Sequence, residues 1–168
     1  MAKKEILDYG KLKKTLQEEG LRRVYLLYGP EEYLREDFVT LLKRTCLPEG
    51  GEDFSYKRLN QEGFSVRALE DAVEALPFLT ERSFVEVRGV DLNRMGENDG
   101  EKLTKLMADI PEYCTLVFVQ EVSFEPDGRK KLIKAIKKHG QDINFTEQPQ
   151  TSIVKWVRRR FAVHGKAI

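Results

Sequence analysis

Residues 24–38, VYLLYGPEEYLREDF, read as a buried strand, a tight turn and the start of a helix. That succession constrains the fold more than any other stretch, because a strand passing through glycine straight into a helix opens a parallel α/β layer and frames a phosphate-binding loop. The residues that would hold phosphate are missing. Such a loop brings backbone N–H groups to the phosphates on glycines, reaches them with a lysine and offers magnesium a hydroxyl. Only Gly29 remains of that set. Pro30 has no N–H to give, and Glu31 and Glu32 put carboxylates where a nucleotide would bring charge of the same sign. Both glutamates suit the positive end of the following helix, which accounts for them without an acid/base role.

Apolar periodicity then alternates between strand and helix along the whole chain, predicting an α/β fold of three layers around a mainly parallel five-stranded sheet. Strands are expected at 24–28, 54–59, 83–87, 115–120 and 143–146, with LVFV (116–119) central and buried on both faces. Helices are expected at 6–19, 31–45, 66–76, 101–108 and 129–138. Ser65 suits an N-cap, and Gly140 suits a helix stop. NRMGENDG (93–100) reads as a surface loop and Gln148-Pro149-Gln150 as a hinge. Beyond it, Ile153, Val154, Trp156, Val157 and Phe161 give a helix a wide apolar face, while consecutive Arg158, Arg159 and Arg160 point in different directions and read as solubilising charge. The expected division is one domain over 1–147, followed by the first helix of a second, helical domain over 148–168 that the chain cuts short. The alternative is a helix folded back on the first domain.

Composition narrows the functional classes. The chain has 168 residues, 40% of them hydrophobic, enough for a real core. Lysine and arginine number 29 against 28 acids, so a net charge of +1 exerts no global pull on nucleic acid or anionic lipid. No apolar run approaches the roughly 20 residues of a membrane span, and MAKKEILDYGKL lacks the pattern of a signal peptide. No membrane partner and a cytoplasmic setting are expected. Cys46 and Cys114 are far apart and read as reduced thiols; with His139 and His164 as the only histidines, no metal site is expected.

Two features could carry an interaction. In EALPFLTER (74–82), Pro77 ends a helix and stiffens the connector that presents Leu76, Phe78 and Leu79. They either plug the underside of the sheet or form a binding surface, and full burial of Phe78 and Leu79 against a partner would supply roughly 3 to 6 kcal/mol of the ~8 in a micromolar complex. The second feature is the cationic set Arg129, Lys130, Lys131, Lys134, Lys137 and Lys138, outward on a helix whose core face is Leu132, Ile133 and Ile136. It reads as a solvated face or as contact to a DNA backbone; no aromatic residue is interleaved for base stacking. A nucleotide hydrolase is the remaining rival, because LVFVQE (116–121) imitates a magnesium-binding strand, with Gln120 where the aspartate should stand.

Taken together, VYLLYGPEEYL, ALPFLTERSFVEVRGVD, LVFVQ and DGRKKLIKAIKKHG resemble, in order and spacing, the delta subunit of bacterial DNA polymerase III, the clamp-loader subunit that opens the sliding clamp. The resemblance runs through essentially the whole chain. It implies an AAA+ fold without a working ATP site, no cofactor, no catalysis by this chain, and clamp binding through Leu76, Pro77, Phe78 and Leu79. The family's leucine-then-phenylalanine order is reversed at Phe78 and Leu79. It further implies the sliding clamp (beta subunit) as partner during DNA replication. ATP hydrolysis would belong to other clamp-loader subunits of this polymerase complex, contacted mainly through a C-terminal domain.

Overall fold

A computed structural model describes residues 5–163 and Gly165. Five strands, β1 (Val24–Tyr28), β2 (Tyr56–Asn60), β3 (Ser83–Arg88), β4 (Cys114–Val119) and β5 (Gln141–Asn144), form one sheet in the order β2-β3-β4-β1-β5, every pairing parallel. Helices α1 (Tyr9–Glu19) and α2 (Glu32–Cys46) cover one face. On the other lie α4 (Val66–Glu74), α5 (Glu97–Ala108) and α6 (Lys131–His139), with the single turn α3 (Glu52–Ser55) leading into β2 and α7 (Gln150–Val163) closing the described chain. Alternation along each strand divides the core: Tyr25 and Leu27 join the α1/α2 side with Phe38, Phe84 and Phe145, whereas Val24 and Leu26 join Leu69, Leu116, Phe118 and Ile133 on the other. All six residues of β4 are buried, as a strand flanked on both edges and covered on both faces requires.

Several expected boundaries move, each for a local reason. Phe54 and Ser55 are not strand but the end of α3, so β2 starts at Tyr56. β5 lies two residues early, because Phe145 leaves the ladder to bond the loop after β1. The stretch 93–100 is not an open loop: a 3-10 turn spans Leu92–Arg94, and Glu97 and Asp99 occupy the first turn of α5, where carboxylates favour the helix terminus. Arg129 and Lys130 precede α6 rather than belonging to it. Ser65 does cap α4, its side chain accepting from the Ala68 N–H at 3.0 Å. Gly140 ends α6 in a space only glycine fits, since a Cβ would lie 2.1 Å from the Val24 carbonyl oxygen. Both cysteines are buried and free, and burial raises the Cys114 thiol to about 11, leaving it protonated at neutral pH.

Along α7, Ile153, Val154 and Phe161 are each about two-fifths exposed. Arg160 reaches back to α2, 3.2 Å from Asp37 and over the Tyr33 ring. The Trp156 side chain, His164 and residues 166–168 lie outside the described residues. Among those described, no helix is long and apolar enough to cross a membrane.

Candidate functional site

The loop after β1 is closed on itself. Gly29 adopts φ +112°, and a Cβ there would meet the Asn144 side chain and the Phe145 backbone at 2.5–2.7 Å, so glycine is needed for the close approach of the chain leaving β5. That approach uses the loop's polar groups. The Phe145 N–H donates to the Tyr28 carbonyl at 2.7 Å, the Glu31 N–H donates to the Phe145 carbonyl at 3.0 Å, and the Glu32 N–H donates to the Pro30 carbonyl at 2.9 Å. Arg35, buried, donates to the Gly29 carbonyl at 3.1 Å. Glu31 is a tie rather than a base, accepting from the Gln148 N–H at 2.9 Å, and Glu32 stands exposed in the first turn of α2. Pro30 is exposed, and Gln120 is buried beyond β4, its N–H donating to the Leu27 carbonyl. Two of the N–H groups that a phosphate would use, those of Glu31 and Glu32, are engaged by protein carbonyls. A groove of about 610 Å³ does lie at the C-terminal side of the sheet, but Phe64, Arg67, Asp91, Arg94 and Lys102 line it and no residue of 29–35 does.

Beside this loop lies an ion network that sequence reasoning missed. Glu86, buried in β3, accepts from the Tyr56 hydroxyl at 2.7 Å and from Arg88 at 3.3 Å, and Arg88 in turn forks onto Glu36 of α2 at 2.6 and 2.7 Å. Those two bonds hold the Glu36 carboxyl below its ordinary range, against the opposing effect of partial burial. Burial, and then the bond to Glu86, pushes the Tyr56 hydroxyl up to about 12. The network ties α2 across β3 to the edge strand. A charged residue inside the apolar strand SFVEVR was the available signal.

The connector between α4 and β3 faces solvent. Leu76 is 79% exposed, Phe78 61% and Leu79 73%, so the plug beneath the sheet is excluded, and Pro77 is half-buried between them. Helix α4 stops at Glu74, whose carbonyl accepts from the Tyr113 hydroxyl at 2.6 Å. Leu79 has φ +60°, a left-handed conformation costing a branched-chain residue about 1–2 kcal/mol. What holds it is α3. Ser55 Oγ accepts from the Phe78 N–H at 3.3 Å and can donate to the Phe78 carbonyl at 3.3 Å; it also contacts the Thr80 hydroxyl, which donates to the Arg82 carbonyl at 2.8 Å. The Phe54 ring, itself half exposed, packs on Phe78 at 5.8 Å between centroids. The sequence pattern predicts a strand starting at Phe54, whereas the structure puts Phe54 in α3 and in this patch.

In α6, Leu132, Ile133 and Ile136 are buried, and Lys131, Lys134, Lys137 and Lys138 face outward. Arg129 is held by Asp127 at 3.0–3.1 Å and Lys137 stands 3.8 Å from Asp142, so two members of the cationic set are already paired.

An all-parallel sheet between helical layers, entered through a strand–turn–helix loop whose Glu31 and Glu32 N–H groups are bonded internally, is an AAA+-like fold. The family model described as DNA polymerase III, delta subunit matches residues 25–146, and the chain belongs to that family. DNA polymerase III subunit delta of Bacillus subtilis is 33% identical over 133 residues, covering 75% of this chain and 38% of that protein. Among solved structures, the Bacillus subtilis DNA clamp loader delta protein superposes with a TM-score of 0.73 at 24% identity, over 95% of this chain and 48% of that one. A Thermotoga maritima DNA polymerase III gamma subunit-related protein gives 0.55 at 18% identity, over 96% and 55%. These structures share the fold. The chain spans less than half the length of the delta proteins it matches.

Proposed function

We propose that this chain is the clamp-docking part of a clamp-loader delta subunit, acting in DNA replication by binding a sliding clamp and helping to open its ring. Residues 1–147 would be the docking domain and 148–168 the start of a second domain, while the other loader subunits would be contacted mainly through a C-terminal domain. The single observation that carries the reading is the exposed trio Leu76, Phe78 and Leu79 on a stiff, internally latched connector, in a chain of the delta family. Large apolar side chains held out on a strained connector return little burial to the fold, and a partner with an apolar pocket would bury them.

The action is mechanical. A ring that opens rarely is shifted toward the open form only by a ligand with higher affinity for that form. Phe78 and Leu79 would anchor the contact while α4 presses on ring surface that fits better when sprung. In this reading no bond is made or broken by this chain, which is supported by the Glu31 and Glu32 N–H groups bonding protein carbonyls at the Gly29 loop; hydrolysis would belong to other subunits. The lysines of α6 are solvated charge in this reading. Titrating the chain into its cognate clamp tests it: Phe78→Ala with Leu79→Ala is expected to weaken binding by at least about 30-fold, the scale of a hot-spot residue. Equal binding by the double variant would remove the proposed anchor.

A further inference from the structure

Among the described residues, the short helix α3 adds no side chain to the apolar core: Phe54 is 51% exposed and packs beside the exposed Phe78. We propose that α3 completes the docking surface, Phe54 as a third apolar contact to the clamp ring and Ser55 as the positioning residue that holds Phe78 and Leu79 ready to bind. This rests on the clamp-docking reading above. The contact role follows from continuity: the Phe54 and Phe78 rings pack at 5.8 Å and 58°, so a pocket that receives Phe78 meets Phe54 along its rim. Apolar surface buried around a central anchor excludes water from it.

The positioning role follows from the hydrogen bonds. A hydroxyl has one proton and two acceptor sites. Thr80 gives its proton to the Arg82 carbonyl, so the Ser55 proton is shared between the Thr80 hydroxyl and the Phe78 carbonyl at 3.3 Å, and the Ser55 acceptor capacity takes the Phe78 N–H. One buried serine therefore ties the Phe78 backbone on one side of Leu79 and the Thr80 side chain on the other, and the left-handed φ of +60° at Leu79 needs such restraint. Without the latch the connector would sample relaxed conformations, and binding would have to order it first.

The test uses this chain and its cognate clamp ring, with affinity measured well below the melting temperature. Phe54→Ala and Ser55→Ala are each expected to weaken binding about tenfold. Ser55→Ala is also expected to speed amide exchange at Phe78, and Ser55→Thr, which keeps the hydroxyl, to restore both affinity and exchange. A merely structural serine would lower the melting temperature while leaving the affinity of the folded chain unchanged, and that result overturns the positioning role. Full binding by both alanine variants, with loss in the Phe78→Ala, Leu79→Ala double variant, overturns the α3 inference and leaves the docking reading intact. Full binding by the double variant overturns the docking reading and this inference with it.

Discussion

Leu79 is the residue where folding and function pull apart. Its backbone is left-handed and its side chain is 73% exposed, so it costs backbone strain and returns little burial. Leu79→Gly should therefore relieve the strain, partly offset by the greater freedom of glycine in the unfolded chain. The expected outcome in a thermal melt is a midpoint raised by about 2 °C, together with weakened clamp binding. A lowered midpoint would show that the left-handed conformation is not a cost. The sequence makes this region legible as far as the proline: Pro77 after an amphipathic run marks the connector and the residues it presents. Phe54 and Ser55 were not legible, because their partnership with Phe78 spans more than 20 positions and the alternation of Phe54, Tyr56 and Arg58 imitates a strand.

At the scale of elements, the ion network explains how α2 is locked over the outer half of the sheet. Glu36 and Arg88 are far apart in the chain, and no periodicity pairs them. The Glu36 carboxyl is held below its ordinary value of 4.5 in the folded protein, so the unfolded chain binds more protons on acidification. The stability it contributes is complete above pH 4.5 and is lost as pH falls through the lowered folded value. Comparing melting temperatures at about pH 5 and about pH 3, Glu36→Gln is expected to lose less on acidification than the unaltered chain. An identical loss would remove the Glu36–Arg88 pair from the acid response. Other elements were readable because local chemistry sets them: β1 is found where VYLLY predicts it, Ser65 caps α4, and Gly140 stops α6 against Val24. The 93–100 segment misled because its glycines and asparagines suggest a loop, while its acids stabilise the start of α5.

Across the whole molecule, a parallel sheet normally leaves the ends of its strands free for a ligand. This one closes that place at Gly29 with the chain leaving β5 and sends its exposed apolar residues to the connector before β3. The chemistry of the loop was legible as missing residues; the strand exit that fills it was not, since nothing in residues 144–146 announces a bond to residue 31. Calorimetry with magnesium and ATP is expected to give no saturable heat at micromolar nucleotide, and a stoichiometric signal would contradict the closed loop. The most direct measurement is hydrogen exchange along the full chain with and without its cognate clamp. Protection is predicted to concentrate at residues 54–55 and 74–80, with none at 29–35. Protection at 29–35 or 131–138 with 76–80 unchanged would contradict the account.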